Sequence, residues 1–387
     1  MATENAAAEI LVVAGEASGD QHAAELVRAL KARRAGLRFF GMGGARLAEQ
    51  GVELLFHARE ISVMGIVEVL PKIPRILRVL RELTRAAKAR RPAVAVLVDI
   101  PDFNLRLAKR LKRAGIKVVY YVSPTVWAWR KGRVKQIARD VDRMLCILPF
   151  EEAFYRGEGV AARYVGSPVL EQMPPPATRE SFRTQLGLPA GGRSLALLPG
   201  SRHGEVRRIL PAMVGAARLL VARDPKLAVL VPVAPGISRD EITQAFAGSG
   251  LAPTLVEGQA PQVVGASDGA IVASGTATLE AGLMERPLVV VYRVSRVSYW
   301  IGRLLIRVAH IALVNLLAGR RLVPELVQGE MTPRKIADAL QAAWSPDGRE
   351  ALLSGLREVR AGLGPPGAAE RAAEEVLALL PPSLSGN

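Results

Sequence analysis

Short apolar segments alternate with amphipathic segments along most of the chain, and this alternation predicts its secondary structure. Glu9–Gly15 is an apolar run that ends at a glycine, and Gln21–Arg34 has the apolar spacing expected of a helix. Fully apolar strands that alternate with helices are typical of a parallel sheet covered on both faces. In the first half of the chain, the predicted strands are Glu9–Gly15, Leu37–Gly41, Ala93–Val98, Lys117–Val122 and Met144–Leu148.

The alternation is interrupted at Gly166–Pro189, a proline-rich stretch typical of a connection between domains. It resumes with predicted strands at Ser194–Leu198, Ala228–Pro232, Thr254–Val256, Gly269–Ala273 and Leu288–Tyr292. A chain of 387 residues is also too long for one ordinary core. We therefore predict an α/β protein with two facing, Rossmann-like, doubly wound parallel-sheet domains and an active site in the cleft between them. The expected boundaries are an N-terminal domain at 1–168, a linker at 169–190, a C-terminal domain at 191–366, and a C-terminal helix and tail at 367–387 that can pack back on the N-terminal domain.

Composition narrows the classes of function. The net charge of +16 indicates an anionic partner (nucleic acid, an acidic membrane surface or a phosphorylated substrate), unless it reflects only a GC-rich genome that favours arginine. Cys146 is the single cysteine and the four histidines are scattered, so we expect no intramolecular disulfide and no structural zinc site. Met1–Glu9 lacks the features of a signal peptide, and the longest runs without charged residues are too short for a membrane-spanning helix. We therefore expect a cytoplasmic protein that is soluble or peripheral.

Three loops in the first half follow predicted strands and carry residues suited to chemistry. In Ala14–Asp20, Ser18 begins a capping-box pattern and the glycines allow a ligand near the backbone, although a plain tight turn has the same features. In the second loop, Asp102 is expected to cap the next helix, whereas Asp99 lies at the mouth of a buried strand, where a base can accept a proton from a sugar hydroxyl. The third loop, Tyr120–Arg130, holds two of the four tryptophans. Their rings can stack on sugar rings, lie at a lipid interface or pack locally in the core.

Two loops in the second half suit a diphosphate. Leu197–Glu205 follows a strand and opens a helix whose N-terminal amides favour anions, and Arg202 adds a forked donor for phosphate oxygens. In Ala273–Glu280, small side chains let a phosphate approach the backbone amides. The Glu280 carboxylate can accept hydrogen bonds from both hydroxyls of a ribose. Alternatively, it only interacts favourably with the helix dipole.

Two further patterns leave alternatives open. Asp140 and Asp142 form a D-x-D pair, which holds a divalent cation in another class of sugar transferase, but we interpret the pair here as a solvated entry to the next strand. Ile61–Leu83 and Val294–Arg321 mix apolar and basic residues. That mixture is typical of helices that lie on an anionic bilayer, and also of amphipathic helices whose apolar side belongs to the core.

Seven collinear strings, between about residue 9 and residue 325, resemble the lipid-A-disaccharide synthase family. They are AGEASGD (14–20), VMGIVEVL (63–70), PDFN (101–104), YVSPTVWAWR (121–130), LLPGSR (197–202), ASGTATLEAGL (273–283) and NLLAGR (315–320). No single string is specific, but the joint match is. The chain departs from the family pattern at Ser167, where a histidine is expected, and at Val314, where a proline is expected.

The resemblance implies a GT-B-type, inverting glycosyltransferase that needs no metal and no cofactor. It would join UDP-2,3-diacylglucosamine to 2,3-diacylglucosamine 1-phosphate, giving the β(1→6) lipid A disaccharide 1-phosphate and UDP, as a peripheral protein on the anionic inner face of the inner membrane. Asp99 would be the catalytic base. The implied nucleotide-binding residues are Gly200, Ser201, Arg202, Ser274, Gly275, Thr276, Glu280 and Asn315. The residues implied to bind the acceptor are Gly15, Glu16, Ser18, Gly19, Asp20, Ser123 and Trp127, and those implied to face acyl chains or the membrane are Val63, Met64, Ile66, Val67, Leu70 and Ile73.

Two other classes of function remain open from the residues alone. A UDP-N-acetylglucosamine 2-epimerase-like isomerase has the same architecture, but it needs no acylated acceptor and no membrane-facing segment. A non-enzymatic protein that binds anionic lipid or RNA would also explain the charge. Sequence-specific RNA-binding modules usually show stacking aromatics or a known motif. Neither appears in the sequence, so we expect no nucleic acid partner.

Overall fold

The computed structural model describes residues 8–60, 73–129, 131–175, 178–189, 191–295, 299 and 309–381. The chain forms two compact units, one of Met1–Pro168 with Pro365–Asn387 and the other of Val169–Gly364. Each unit is built around one parallel sheet. Within the described ranges, no helix is both long enough and apolar enough to cross a membrane.

The first unit has the strand order of a Rossmann-like sheet. Its strands are β1 (Glu9–Ala14), β2 (Arg38–Gly43), β3 (Glu53–His57), β4 (Val94–Val98), β5 (Lys117–Tyr121), β6 (Arg143–Cys146) and β7 (Ala162–Tyr164). Its helices are α1 (Ala17–Arg33), α2 (Ala45–Glu49), α3 (Ile73–Arg90), α4 (Pro101–Arg113), α5 (Val126–Trp129), α6 (Val134–Asp140) and α7 (Pro149–Gly157). The sheet order is β3-β2-β1-β4-β5-β6-β7, and all neighbouring strands are parallel.

The second unit repeats this order without the seventh strand. Its strands are β8 (Ser194–Leu198), β9 (Ala228–Val233), β10 (Thr254–Glu257), β11 (Gly269–Ala273), β12 (Leu288–Tyr292) and β13 (Glu325–Val327). Its helices are α8 (Thr178–Gln185), α9 (His203–Arg223), α10 (Arg239–Phe246), α11 (Ala260–Ala266), α12 (Ala277–Leu283), α13 (Leu313–Ala318), α14 (Pro333–Trp344) and α15 (Pro346–Gly362). The sheet order is β10-β9-β8-β11-β12-β13. The final helix, α16 (Ala368–Leu377), packs against α1 and belongs to the first unit.

Both faces of each sheet are buried, and this explains why the strands are apolar throughout. In β1, Leu11 and Val13 belong to the core formed with α3 and α4. The alternate residues Ile10 and Val12 belong to the core formed with α1 and α16. β8 is divided between two cores of the second unit in the same way. A strand in this position has no polar face, so its sequence shows no alternation.

All ten predicted strands are present, and each end lies within two residues of its expected position. The three strands that the pattern missed, β3, β7 and β13, lie at sheet edges. An edge strand is covered by neighbours on fewer sides, so its residues need not be apolar. β3, for example, has no fully buried residue.

Part of the range expected to be a linker is a helix fastened to the second unit. α8 packs against α11, with Phe182 only 8% exposed. The neighbouring Arg183 is buried and donates hydrogen bonds to Ser194 Oγ at 3.0 Å and to Ala266 O at 2.7 Å. These contacts join α8 to the first residue of β8 and to the last residue of α11, which a polar, proline-flanked sequence does not indicate.

Candidate active site

The loops that follow β1 and β4 lie side by side, because the strand order of the first sheet reverses between these strands. β1 and β4 pair as far as their last residues. A Cβ placed on Gly15 would lie 2.4 Å from Ile100 Cδ1, and one placed on Gly19 would lie 3.6 Å from the Cβ of Asp99. Ligands of doubly wound sheets bind at such a reversal, beyond the carboxyl ends of the strands.

Asp99 has a left-handed backbone conformation, with a φ of 54°, and Ile100 follows with a φ of 38°. Such conformations cost about 1–3 kcal/mol and persist where the surroundings enforce them. The carbonyl oxygen of Asp99 accepts hydrogen bonds from Tyr120 Oη at 2.5 Å and from Asn104 Nδ2 at 2.9 Å. Its N–H donates to the carbonyl of Tyr121. These bonds hold the backbone of Asp99 without using its carboxylate.

The pKa of the Asp99 carboxyl is raised above its ordinary value. Burial is the largest cause, and the negative charge of Glu16 adds to it. A hydrogen bond from the Ile100 N–H and the charge of His22 act in the opposite direction and lower the pKa less. A half-buried carboxylate whose pKa is raised binds a proton more tightly, which suits a general base.

The other residues of the first loop have separate surroundings. α1 begins at Ala17 with Glu16 at its N-cap and no side-chain cap, so the predicted capping box at Ser18 is wrong. The Glu16 carbonyl already accepts the Asp20 N–H, which places Ser18 inside the first turn. Glu16 and Ser18 are exposed, whereas Gly15 is buried. Asp20 is buried, and its carboxylate accepts three backbone N–H bonds near the start of α2, at 2.6, 3.0 and 3.4 Å, so it links α1 to that turn.

Three aspartates expected to cap a helix or to face solvent have other roles. α4 begins at Pro101, which favours the first helical position, so Asp102 lies in the first turn and the predicted cap is wrong. Asp140 is 3% exposed at the end of α6 and accepts hydrogen bonds from Arg139, so a solvated strand entry is also wrong for this residue. Asp142 accepts a hydrogen bond from the N–H of Val118, the second residue of β5, at 2.8 Å.

Ser123, in the loop after β5, and Trp127, in α5, are joined to a buried glutamate that belongs to none of the seven matched strings. Ser123 Oγ donates to Glu151 Oε2 at 2.6 Å, and Trp127 Nε1 donates to Glu151 Oε1 at 3.0 Å. The Leu148 N–H also donates to Glu151, which is 1% exposed. Burial raises the pKa of Glu151 to about 7, against the lowering effect of these bonds. β5 neighbours β4, so Glu151 holds the chain after β5 beside the strand that Asp99 follows.

Most residues expected to face acyl chains lie outside the part of the chain that the structure describes. They are Val63, Met64, Ile66, Val67 and Leu70, and residues 296–298 and 300–308 of the Val294–Arg321 segment also lie outside it. Ile73 is the first residue of α3 and is 39% exposed.

In the second unit the strand order reverses between β8 and β11, and the loops after these strands are neighbours. Gly200 has a φ of 110°, which favours glycine, and a Cβ placed there would lie 2.6 Å from Glu205 Oε2. Ser201 and Arg202 are exposed at the start of α9, where Arg202 Nη1 lies 3.0 Å from Glu205 Oε1. Around Gly275, after β11, a Cβ would meet no heavy atom of the described chain within 4 Å. The two loops therefore present an exposed arginine and open space at the expected ligand-binding edge.

A buried hydrogen-bond network supports the loop after β11. Ser274 Oγ donates to the carbonyl of Ile311 at 3.1 Å. Asn315 is fully buried, and its amide donates to Val323 O at 2.9 Å and to Glu325 Oε1 at 2.8 Å, and accepts the Val323 N–H at 2.8 Å. The amide of Asn315 is therefore used within the protein, where it orders the chain around the loop. Glu325 was missed because it lies in a short edge strand without a motif.

The two remaining nucleotide candidates lie at the start of α12. Thr276 is its exposed N-cap residue, and Glu280 is half-buried one turn further on. Burial alone raises the pKa of Glu280.

Comparison with known proteins identifies the family. A family model described as lipid-A-disaccharide synthetase matches residues 10–352. The lipid-A-disaccharide synthase of Myxococcus xanthus is 68% identical over 96% of this chain and 98% of its own length. That of Syntrophus aciditrophicus is 45% identical over 96% of this chain and 97% of its own. The chain belongs to the lipid-A-disaccharide synthase family. It is accordingly a glycosyltransferase that forms the lipid A disaccharide, and the isomerase alternative is not favoured.

Solved structures share the fold at low sequence identity. UDP-GlcNAc 2-epimerase from Neisseria meningitidis, bound to UDP-GlcNAc, superposes with a TM-score of 0.67 at 11% identity, covering 96% of this chain and 100% of its own. The calicheamicin glycosyltransferase CalG4 gives a TM-score of 0.60 at 15% identity, covering 96% and 98%. The predicted GT-B-type class, with two Rossmann-like parallel-sheet domains, is confirmed.

The two departures from the synthase pattern lie in buried positions. Val314 packs against α12, where a Cβ placed on Gly282 would lie 3.1 Å from Val314 Cγ2. Ser167 is 1% exposed and follows Gly166, whose φ is 97°.

Proposed function

We propose that this synthase transfers 2,3-diacylglucosamine from UDP-2,3-diacylglucosamine to 2,3-diacylglucosamine 1-phosphate, with inversion at the anomeric carbon. The products are the β(1→6)-linked disaccharide 1-phosphate and UDP. One observation supports Asp99 as the base. Tyr120 and Asn104 hold its backbone by hydrogen bonds, while the pKa of its carboxyl is raised.

In the proposed reaction, the 6-hydroxyl oxygen of the acceptor attacks the anomeric carbon of the donor. Asp99 takes the hydroxyl proton as the new carbon–oxygen bond forms and the bond to UDP breaks. A general base of this kind contributes about 10²–10⁴-fold to the rate. Gly15, Glu16, Ser18 and Gly19 surround the acceptor sugar, and Ser123 and Trp127 border it. The carboxylate of Asp20 is occupied by backbone N–H groups, so we propose a positioning role for it.

We assign the nucleotide to the second unit. Arg202, Ser201 and the Gly200 amide bind the diphosphate together with Ser274, Gly275 and Thr276, and Glu280 binds the ribose. The departing UDP gains negative charge, which Arg202 and the N-terminal amides of α9 stabilise more in the transition state than in the ground state. Asn315 orders this site through Glu325 and Val323.

We place the reaction on the cytoplasmic face of the inner membrane, with the protein bound peripherally. The net charge of +16 supports an anionic surface as partner. α3 supports it further, because Ile73 and Leu77 are exposed beside the exposed basic residues Arg75, Arg78 and Arg81. Co-sedimentation with phosphatidylglycerol vesicles that weakens with rising salt would agree with this location, and equal binding to uncharged vesicles would refute the electrostatic part.

A detergent-supported assay with both substrates and EDTA tests the reaction. Mass spectrometry should detect UDP and the tetraacyl disaccharide 1-phosphate in equal amounts despite the chelator. UDP without the disaccharide would instead indicate hydrolysis. Loss of both products on adding EDTA, restored by Mg²⁺, would refute a metal-independent reaction.

A matched pair of variants tests the base. Asp99→Asn removes the proton acceptor at constant size and should lower kcat by about 10²–10⁴-fold. Asp102→Asn is the control: it makes the same substitution three residues away, at an aspartate that pairs with Arg133. This variant should keep kcat within a few-fold of the wild type. Equal turnover of the two folded variants would refute the role of Asp99.

A further inference from the structure

The second unit contains a cavity of about 340 Å³ that is separate from the proposed nucleotide loops. Its wall includes Gly265, which precedes β11, and Leu283–Arg286, which precede β12. It therefore lies at the amino-terminal edge of the second sheet, whereas the loops with Arg202 and Ser274 follow the carboxyl ends of the strands. A cavity of this size is within the range that holds small ligands, which begins at about 300 Å³.

The cavity is strongly basic. Of the fourteen residues that line it, five are arginines and one, Glu285, is acidic. The arginines are Arg179, Arg286, Arg349, Arg357 and Arg360. Leu283, Met284 and Leu353 supply apolar wall.

Protein contacts hold these guanidinium groups in place, but among the described residues acidic side chains pair with only two of the five, since Arg179 pairs with Asp268 at 3.1 Å and Arg357 pairs with Glu285. Arg286 Nε donates to the Gly265 carbonyl at 3.2 Å, and Arg360 Nη1 donates to the Leu283 carbonyl at 3.0 Å. Arg357 pairs with Glu285 at 3.2 Å. Arg349 is exposed, and its guanidinium makes no hydrogen bond or ion pair with the part of the chain that the structure describes. Each guanidinium has five N–H donors, so several remain available to a ligand.

Arg286 lies among other positive charges. Burial is the largest cause that lowers the pKa of its guanidinium, and the charge of Arg179 comes next; Asp268 raises the pKa by more than Arg349 lowers it, and Glu285 raises it least. An anion in the cavity would relieve this repulsion. Guanidinium groups match phosphate oxygens through paired, charge-assisted hydrogen bonds, so phosphate is the anion that this arrangement suits best.

We propose that this arginine-lined cavity binds a phosphate-bearing small molecule, at a site distinct from the nucleotide loops of the same unit. The cavity is larger than a phosphate ion, and its apolar wall leaves room for a small organic group on the ester. The proposal does not depend on the transferase assignment, because none of the lining residues belongs to the proposed catalytic or nucleotide set.

Titration of inorganic phosphate, followed by ³¹P NMR with UDP present in excess, tests the proposal on the full chain. The wild type should broaden and shift the phosphate signal in a saturable way. Arg349→Met should weaken this binding roughly tenfold, the factor that corresponds to 1.4 kcal/mol. Arg286→Met should weaken it at least as much. If Arg286→Met does not fold, the exposed Arg349 still provides the test.

Arg218→Met is the matched control, because it removes an exposed arginine from α9, outside the cavity. It should bind phosphate as the wild type does, and all three variants should keep the wild-type affinity for UDP. Equal weakening in Arg218→Met would reduce the effect to net charge and overturn the proposal. Absence of saturable phosphate binding would overturn it as well. The proposal would also be overturned if Arg349→Met weakened binding to phosphatidylglycerol vesicles but not to inorganic phosphate, since the ligand would then be a lipid headgroup.

Discussion

Replacing Glu151 by glutamine should change how the stability of the first unit depends on pH. Burial raises the pKa of Glu151 from 4.5 to about 7. The folded protein therefore keeps a proton in this window that the unfolded chain releases, and its free energy of unfolding falls as the pH rises from about 4.5 to 7. Each pH unit corresponds to 1.36 kcal/mol, so this group removes about 3 kcal/mol of stability across the window.

Glutamine has no such titration, and it cannot satisfy the same partners. Trp127 donates to one oxygen of Glu151, and Ser123 and Leu148 donate to the other. In either orientation of the amide, its NH₂ group meets a donor. Below pH 5 the variant should therefore be less stable than the wild type by about 1–3 kcal/mol, the cost of an unsatisfied buried group. The difference should shrink or reverse by pH 8, because only the wild type loses stability on ionisation.

Urea unfolding between pH 5 and pH 8 measures this difference. The wild type and each variant would also carry Trp300→Phe and Trp344→Phe. Trp127 and Trp129 are then the remaining tryptophans, so their fluorescence follows the unfolding of the first unit. Glu158→Gln, at an exposed position after α7, serves as the control and should keep the wild-type pH dependence. Parallel changes with pH in the stabilities of the wild type and Glu151→Gln would refute a raised pKa at Glu151.

Three further substitutions test the surroundings of the proposed sites. Tyr120→Phe removes one hydrogen bond to the Asp99 carbonyl and should cost about 1 kcal/mol of stability in urea unfolding, with a lower kcat; unchanged kcat would show that this bond is not needed. Asn315→Leu leaves the buried N–H and carbonyl of Val323 without the Asn315 amide and removes one hydrogen bond to Glu325, so it should cost roughly 1–3 kcal/mol in thermal unfolding; a neutral result would contradict the network. Because burial raises the pKa of Glu280, UDP affinity measured by calorimetry should fall as the pH is lowered towards that pKa. Glu280→Gln should weaken UDP binding roughly tenfold and remove this pH dependence, whereas wild-type binding would exclude the ribose contact.

Features that depend on neighbours close in sequence were predicted well. The strands are apolar because both faces of each sheet are covered, and this burial leaves a direct record in the residues of β1 and β8. Glycines and small residues after β8 and β11 likewise mark loops that must turn sharply at the sheet edge. The order of such motifs along the chain is linear information, so it was enough to indicate the family.

Helix starts were less predictable, because the pattern cannot tell which of several neighbouring residues takes the N-cap; here it lies two residues before the predicted one. Ser18 and Asp102 have good capping side chains, yet α1 and α4 begin before them, at Ala17 and Pro101. A shift of one or two residues decides whether such a side chain caps the helix or lies within its first turn.

The sequence by itself therefore determined the two parallel-sheet domains and the family, and it indicated the loops that we propose to carry the chemistry. Only the tertiary structure decided which polar side chains of those loops are used internally. Glu151 receives donors from Ser123 and Trp127, which lie 28 and 24 residues away in the chain. The Asp99 carbonyl is bound by Tyr120, 21 residues away. These partners come from separate strands and helices that meet only when the sheet forms, so burial, pKa and backbone strain at the site follow from the packing rather than from any local pattern.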